Sequence, residues 1–212
     1  MPVDLPLAQA NPLILLDYLG VSIFAATGAL AAARKHHDLI TFIFFAAVTG
    51  IGGGTLRDLL IGAPVFWVRD SGYFAASIVA AGAVWVLGSR TWLFAALLWL
   101  DAVGLAAYAV IGAAKAAFWG VPPLVCIVMG ALTATFGGVL RDVLAGEPSV
   151  LLRREITVSA ALLAAGLFVA LAWIGVHGWI AAAAGFVAGF ALRAGALRYG
   201  WSLPGFRGQP EP

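Results

Sequence analysis

A chain of 212 residues that is 63% hydrophobic and 10% charged, with a mean hydropathy of +1.01, is no soluble domain; those average about 45–50% apolar and about 25% charged. The net charge of +2 comes from basic residues set between apolar runs, where lipid headgroups and topology account for them, so no nucleic-acid partner is implied. The single cysteine, Cys126, excludes an intrachain disulfide, a Cys-rich metal site and a redox pair, and reads as a small packing residue.

Seven apolar runs follow in order, at about 10–33, 39–61, 72–89, 92–114, 122–144, 156–175 and 178–197. Each is near the roughly 20 residues that a helix needs to cross the hydrocarbon. Only Asp4 is charged ahead of the first run, so that run is expected to stay in the membrane rather than leave as a signal peptide. The separators are polar or turn-forming: Arg34-Lys35-His36-His37-Asp38, Ala63-Pro64 through Asp70, Ser89-Arg90, Trp119 to Pro123, Glu147-Pro148 through Glu155, and His177-Gly178. The last run includes Arg193. The tail after Tyr199, with Pro204, Gly205, Gly208 and Pro210, is expected to be disordered. Lys115, Trp119, Trp92, Trp67 and Tyr73 near run ends read as interface markers, and His36 and His37 as surface residues.

Seven crossings put Arg57, Arg69 and Lys115 on the amino-terminal side. Arg34, Lys35, Arg90, Arg141, Arg153, Arg154, Arg193, Arg198 and Arg207 fall on the other. Nine basic residues against three predict a cytoplasmic carboxyl terminus and an extracytoplasmic amino terminus. A cell (inner) membrane location follows.

Offsetting the chain by 84 residues aligns 17–70 with 101–154 without a gap and with 19 identities in 54 positions. Among them are Asp17/Asp101, Gly20/Gly104, Gly28/Gly112, Thr49/Thr133, Gly53/Gly137, Gly54/Gly138, Arg57/Arg141, Asp58/Asp142, Gly62/Gly146, Pro64/Pro148 and Arg69/Arg153. Equivalent positions are three spans apart. Three is odd, so the halves are predicted to cross the bilayer in opposite directions, as an inverted repeat whose interface carries the function. The expected architecture is an all-α membrane protein of seven transmembrane helices. It divides into an extracytoplasmic segment 1–12, three-helix repeats 13–90 and 91–175, a seventh helix 176–198, and a cytoplasmic tail 199–212. The seventh helix has no repeat partner, and packing or oligomer contact is its default role.

The second and fifth runs hold the two copies of the unusual block, Thr49-Gly50-Ile51-Gly52-Gly53-Gly54-Thr55-Leu56-Arg57-Asp58 and Thr133-Ala134-Thr135-Phe136-Gly137-Gly138-Val139-Leu140-Arg141-Asp142. Each glycine costs a helix about 1 kcal/mol relative to Ala. Two readings follow: kinked helices whose freed carbonyls face water, or close packing through small residues. Two symmetry-related copies, each followed by a charge, favour the path. Arg57 and Arg141 share a helical face with the glycines before them. Ionisable groups in a membrane face a cavity or a partner, so the arginines line a lumen or lock onto Asp58, Asp142, Asp17 or Asp101. Neighbouring Arg57 and Asp58 do not face each other on a helix, which predicts pairing between helices. Asp101 lies about 13 Å into the fourth run at 1.5 Å per residue. It and its repeat mate Asp17 are functional candidates by depth. No phosphate loop, HExxH motif or GxSxG elbow occurs, so an enzyme is not indicated and no cofactor is implied.

The seven runs, the three-plus-three repeat and a Gly-Gly-Gly…Arg-Asp-x-x-x-Gly-x-Pro block in each half resemble the prokaryotic trimeric intracellular cation channel (TRIC) family, also labelled as glycine transporters. The likeness spans about residues 13–197. It implies a homotrimer in the lipid bilayer whose protomers each have a pore between kinked second and fifth helices, passing monovalent cations, chiefly potassium. On this chain the glycine hinges would be Gly52, Gly53, Gly54, Gly137 and Gly138, and the basic pore residues Arg57 and Arg141. Phe136 replaces the first glycine in the second copy, so that hinge would be stiffer or sit elsewhere. The competing reading is a secondary transporter of a small zwitterion such as glycine, with arginine holding its carboxylate. A membrane scaffold is a third, and it leaves the duplicated charges unexplained.

Overall fold

The computed structural model describes residues 11–88, 91–149 and 156–203, the side chains of 11–16 and 91–94 excepted. Arg90, Arg153, Arg154, Arg207, the Trp92 side chain and, of the tail expected after Tyr199, residues 204–212 lie outside the described residues. The described residues are helical and contain no β-strand. The helices are α1 (Asn11–Arg34), α2 (Leu39–Leu60), α3 (Phe66–Arg69), α4 (Gly72–Leu87), α5 (Thr91–Phe118), α6 (Pro123–Leu144), α7 (Val158–Trp173) and α8 (Gly178–Tyr199). Among the described residues, four stretches are long and apolar enough to cross a membrane: α2, Ala95–Phe118 of α5, α6 and α8; α4 and α7 are shorter apolar helices. The chain is a membrane protein. Each expected run coincides with one of the longer helices, α5 continuing to Phe118 beyond the expected end at 114. The addition is α3, a single turn inside what reads as a separator.

α1, α2 and α4 pack on one another, as do α5, α6 and α7, and α8 lies against α5 and α7. The two bundles meet mainly through α2 on α6 and α1 on α5. The contacts are close because the facing residues are small. A Cβ on Gly53 would run into the backbone carbonyl of Thr133, and one on Gly137 into that of Thr49. The same reciprocity holds within the bundles, where Gly28 lies under the Thr49 side chain and Gly112 under that of Thr133. On α8, Gly185 and Gly189 seat on Ala160 and Ala164 of α7, a small-xxx-small contact of the kind membrane helices use.

Both glycine-bearing helices are continuous through their glycines: α2 is unbroken from Leu39 to Leu60 and α6 from Pro123 to Leu144. At Gly53 and Gly137 the missing Cβ serves backbone approach. Conformational freedom is needed later in each block. After α2, Gly62 takes φ +69°, with Ile61 N donating to Arg57 O (3.0 Å) and Ala63 N to Asp58 O (2.8 Å). After α6, Gly146 takes φ +64°, with Ala145 N donating to Arg141 O (2.9 Å) and Glu147 N to Asp142 O (2.9 Å). These are the left-handed caps that glycine permits, and the proline two residues on prevents helix continuation. At the other end of α2, the Asp38 carboxylate accepts from Thr41 N at 2.8 Å.

Two predictions follow from these contacts. Gly53→Ala or Gly137→Ala overpacks the bundle interface and should cost about 1–3 kcal/mol, seen as a lower thermal midpoint in detergent. Gly82→Ala and Gly166→Ala, where a Cβ meets nothing within 4 Å, should leave the midpoint unchanged or raise it. The bond from the Thr41 amide holds the Asp38 carboxyl below its ordinary 3.8. Its contribution is therefore present above that value and lost as pH falls through the lower folded value. Asp38→Ala should lower the midpoint at neutral pH, and the deficit should shrink as the pH falls below 3.8.

Candidate functional site

The charged residues near the ends of α2 and α6 build two polar clusters. In the first, Asp58 is fully buried. Its carboxylate accepts from Arg57 Nε at 2.9 Å and from Phe66 N at 3.1 Å. It also pairs with the second guanidinium arm of Arg57 and with Lys115 Nζ, both at 2.8 Å. In the second, Arg141 Nε donates to Asp142 Oδ1 at 2.9 Å, its NH2 pairs with the same oxygen at 2.9 Å, and its NH1 donates to Thr27 Oγ at 3.2 Å.

These pairs overturn the expectation that the arginines reach across to another helix for their carboxylates. Side chains at i and i+1 diverge at Cβ, as the facing rule says. The arginine stem is long enough to fold back along the helix, and its planar fork then grips the neighbouring carboxylate through two nitrogens. Cross-helix contacts are made by other residues. Lys115 comes from α5 to Asp58, so it is more than an interface marker. Thr27 comes from α1 to Arg141. Tyr73 OH donates to Asp17 Oδ2 at 2.9 Å, and Tyr108 OH to the Asp17 carbonyl at 2.7 Å. At the exposed end of α6, Glu147 lies 3.7 Å from Arg34 and 3.8 Å from Lys35, a geometry that contributes little at a surface.

Two cavities lie along α1, α2, α5 and α6. One, of about 20 Å³, is lined by Asp17, Thr49, Gly53, Gly54, Arg57, Thr133 and Gly137 with Val21, Phe24, Tyr108 and Ala134 among others. It holds about one water molecule. The other, of about 130 Å³, is lined by Thr27, Asp101, Leu105, Gly138, Arg141, Asp142, Glu147 and Arg193, again with Phe24 and Ala134. The cavities correspond through the 84-residue offset: Asp17, Val21, Gly54 and Arg57 line the first, and Asp101, Leu105, Gly138 and Arg141 the second. The correspondence is incomplete: Asp142 lines the second cavity but Asp58 does not line the first, Glu147 has Ala63 as its repeat mate, and Lys115, which pins Asp58 near the first, has Ala31. The pinned end has the smaller cavity.

Of the residues singled out from the sequence, Asp58 lines neither cavity and acts as the buried partner of Arg57 and Lys115. Gly52 faces an outer apolar groove with Phe136 and Leu140. Thr49 and Thr133 are buried. The Thr133 hydroxyl donates to Met129 O at 2.6 Å, while that of Thr49 finds no partner among the described residues. Cys126 is buried packing, its thiol 3.1 Å from Val121 O. Sequence reasoning gave Lys115 only an interface role and passed over Thr27, Phe24 and Tyr108. The first two have no polar repeat mate. Phe24 and Tyr108 are themselves repeat mates, aromatic in both halves, and that pairing was the available signal.

Removing Asp58 would leave two cations facing a buried position. Asp58→Asn should cost about 3–5 kcal/mol, the usual loss when one partner of a buried pair is removed. Lys115→Met should cost much less, because Arg57 still neutralises the carboxylate. Thermal denaturation and size-exclusion profiles in detergent measure both; equal losses would contradict this arrangement.

The family described as Glycine transporter matches residues 14–89 and again 98–173, starting points that differ by 98 − 14 = 84 residues. A UPF0126 membrane protein of Vibrio cholerae is 37% identical over 202 residues, covering 92% of this chain and 82% of that protein. The UPF0126 inner membrane protein YadS of Escherichia coli is 35% identical, with 90% and 94% covered. Among solved structures, the TRIC trimeric intracellular cation channel orthologue from Rhodobacter sphaeroides is similar at a TM-score of 0.84 and 49% identity, over 89% of this chain and 98% of that one. A prokaryotic TRIC channel in 0.5 M KCl is similar at 0.79 and 27% identity, over 90% and 98%. The chain belongs to the family described as Glycine transporter, is related to the UPF0126 membrane proteins, and has the fold of the TRIC channels.

Proposed function

We propose that this protein is a homotrimeric, potassium-permeable cation channel of the bacterial inner membrane. Each protomer carries its own path between α2 and α6. The carrying observation is the pair of corresponding polar cavities, each with a carboxylate and an arginine, in a fold shared with proteins described as trimeric cation channels. In this reading α1, α2 and α4 form the first half of an inverted repeat and α5, α6 and α7 the second. The α8 helix closes the protomer, the amino terminus is extracytoplasmic and the carboxyl terminus cytoplasmic. The reciprocal contacts of Gly53 with Thr133 and Gly137 with Thr49 support a two-fold relation of this kind.

A basic residue in a cation path would raise the barrier if it stood alone. Here Arg57 and Arg141 are each neutralised by the next residue, which keeps the path near neutral. Asp17 and Asp101 then attract a monovalent cation, and the arginines act as gating elements. Gly53, Gly54, Gly137, Gly138, Thr49 and Thr133 shape the wall.

The family description favours a second reading, uptake of glycine. Its amino group would meet Asp17 or Asp101 and its carboxylate an arginine. Against it, the Arg141 fork is already engaged by Asp142 and Thr27, which leaves it poorly placed to take a substrate carboxylate.

Purified protein in liposomes with a potassium gradient separates the two. Flux without co-substrate, with discrete steps in planar bilayers, is the expected result; saturable uptake of labelled glycine without ion flux would establish the transporter. Arg57→Ala and Arg141→Ala should each change conductance or gating while the oligomer stays intact. Unchanged currents in both would remove them from the path.

A further inference from the structure

The two cavities have different walls but share Phe24 and Ala134. Phe24 stands between them. Its ring is buried at 6% exposure and lies 5.6 Å from the Tyr108 ring, tilted by 50°. The seat beneath it is made by a glycine: a Cβ on Gly104 would lie 3.2 Å from Phe24 Cε2. The opposite half does the same, with the Tyr108 ring filling the space above Gly20. Phe24 and Tyr108, like Gly20 and Gly104, are equivalent through the 84-residue offset, so each half sets an aromatic ring on the other's glycine.

We propose that the Phe24 ring, seated on Gly104 and braced by Tyr108, is the water-excluding barrier that separates the two cavities and closes the path. This rests on the reading of the cavities as one path. Apolar constrictions close pores by dewetting, since an ion crossing one loses its water without gaining protein ligands.

The barrier is tied to the charges on both sides. Toward the larger cavity, Arg141 donates to Thr27 Oγ (3.2 Å), and Thr27 Oγ donates to the Phe24 carbonyl (2.8 Å). Toward the smaller one, Tyr108 OH donates to the Asp17 carbonyl. A shift of Arg141 away from Asp142 therefore pulls on the turn of α1 that carries the ring. Tyr108 carries a hydroxyl that can hold water, whereas Phe24 does not, and this makes Phe24 the limiting member of the pair.

The test is osmotic water permeability of proteoliposomes by stopped-flow light scattering, with potassium flux measured on the same preparations. Phe24→Ala should raise water permeability several-fold and increase resting potassium flux, while Phe24→Leu, which keeps the site apolar and filled, should stay near wild type. If Phe24→Ala does not assemble, Phe24→Tyr carries the test. It keeps the ring on Gly104 and places a hydroxyl between the cavities, so permeability should again rise. Wild-type water permeability in the assembled Ala variant, or in the Tyr variant where Ala fails, overturns the barrier, and wild-type potassium flux then still stands for the channel. Raised water permeability with no potassium flux in any preparation keeps the barrier and removes the channel.

Discussion

The approach of α2 to α6 is the constraint on which the rest depends. Each helix presents a glycine where the other presents the carbonyl of a threonine four residues earlier in its own block. That interlock requires hydrogen at Gly53 and at Gly137, and it brings two backbones together without a side chain between them. Membrane helices gain no hydrophobic driving force from one another, so close dispersion contact must supply the attraction. Once α2 and α6 are fixed, the positions one turn later are fixed as well. Gly54 and Gly138, then Arg57 and Arg141, fall on corresponding cavity walls.

The arginines near the ends of α2 and α6 are each paired with the carboxylate of the next residue. Asp58, with no exposed surface, gathers two nitrogens of Arg57, the Lys115 ammonium and the Phe66 amide. That cluster gives α3 its purpose: a single turn aims one amide at the carboxylate and lays the Phe66 ring against Gly54. Lys115 joins α5 to α2 across the bundle boundary at one end. At the other end Arg141 joins α6 to α1 through Thr27. The halves thus share a plan but differ in how they are fastened, and the difference accompanies cavities of about 20 and 130 Å³.

Much of the fold was legible in the sequence because a membrane span is a matter of length and polarity. The repeat was legible because Gly-x-Pro after Arg-Asp is a cap that few other residues can make. The role of the glycines was less so. Gly-rich helices read as kinks or as contacts, the duplicated charges tip the reading toward kinks, and the opposing carbonyls show close contact at Gly53 and Gly137. The pairing of Arg57 with Asp58 escapes the facing rule because that rule describes Cβ directions, and arginine acts through nitrogens three to five bonds further out. Lys115 and Thr27 were invisible to a repeat-based search, since Ala31 and Ile111 stand at their equivalents. Asymmetric contacts are what a duplication comparison discards.

The most direct test of the account is the sidedness of the two cavities. In a Cys126→Ala background, Asp17→Cys and Asp101→Cys would be treated, in inside-out and right-side-out vesicles, with a membrane-impermeant thiol reagent. The cysteine at 17 should react only from the extracytoplasmic side and the one at 101 only from the cytoplasmic side, the reagent not crossing the barrier between them. Reaction of both from the same side would contradict the inverted arrangement and the path built on it.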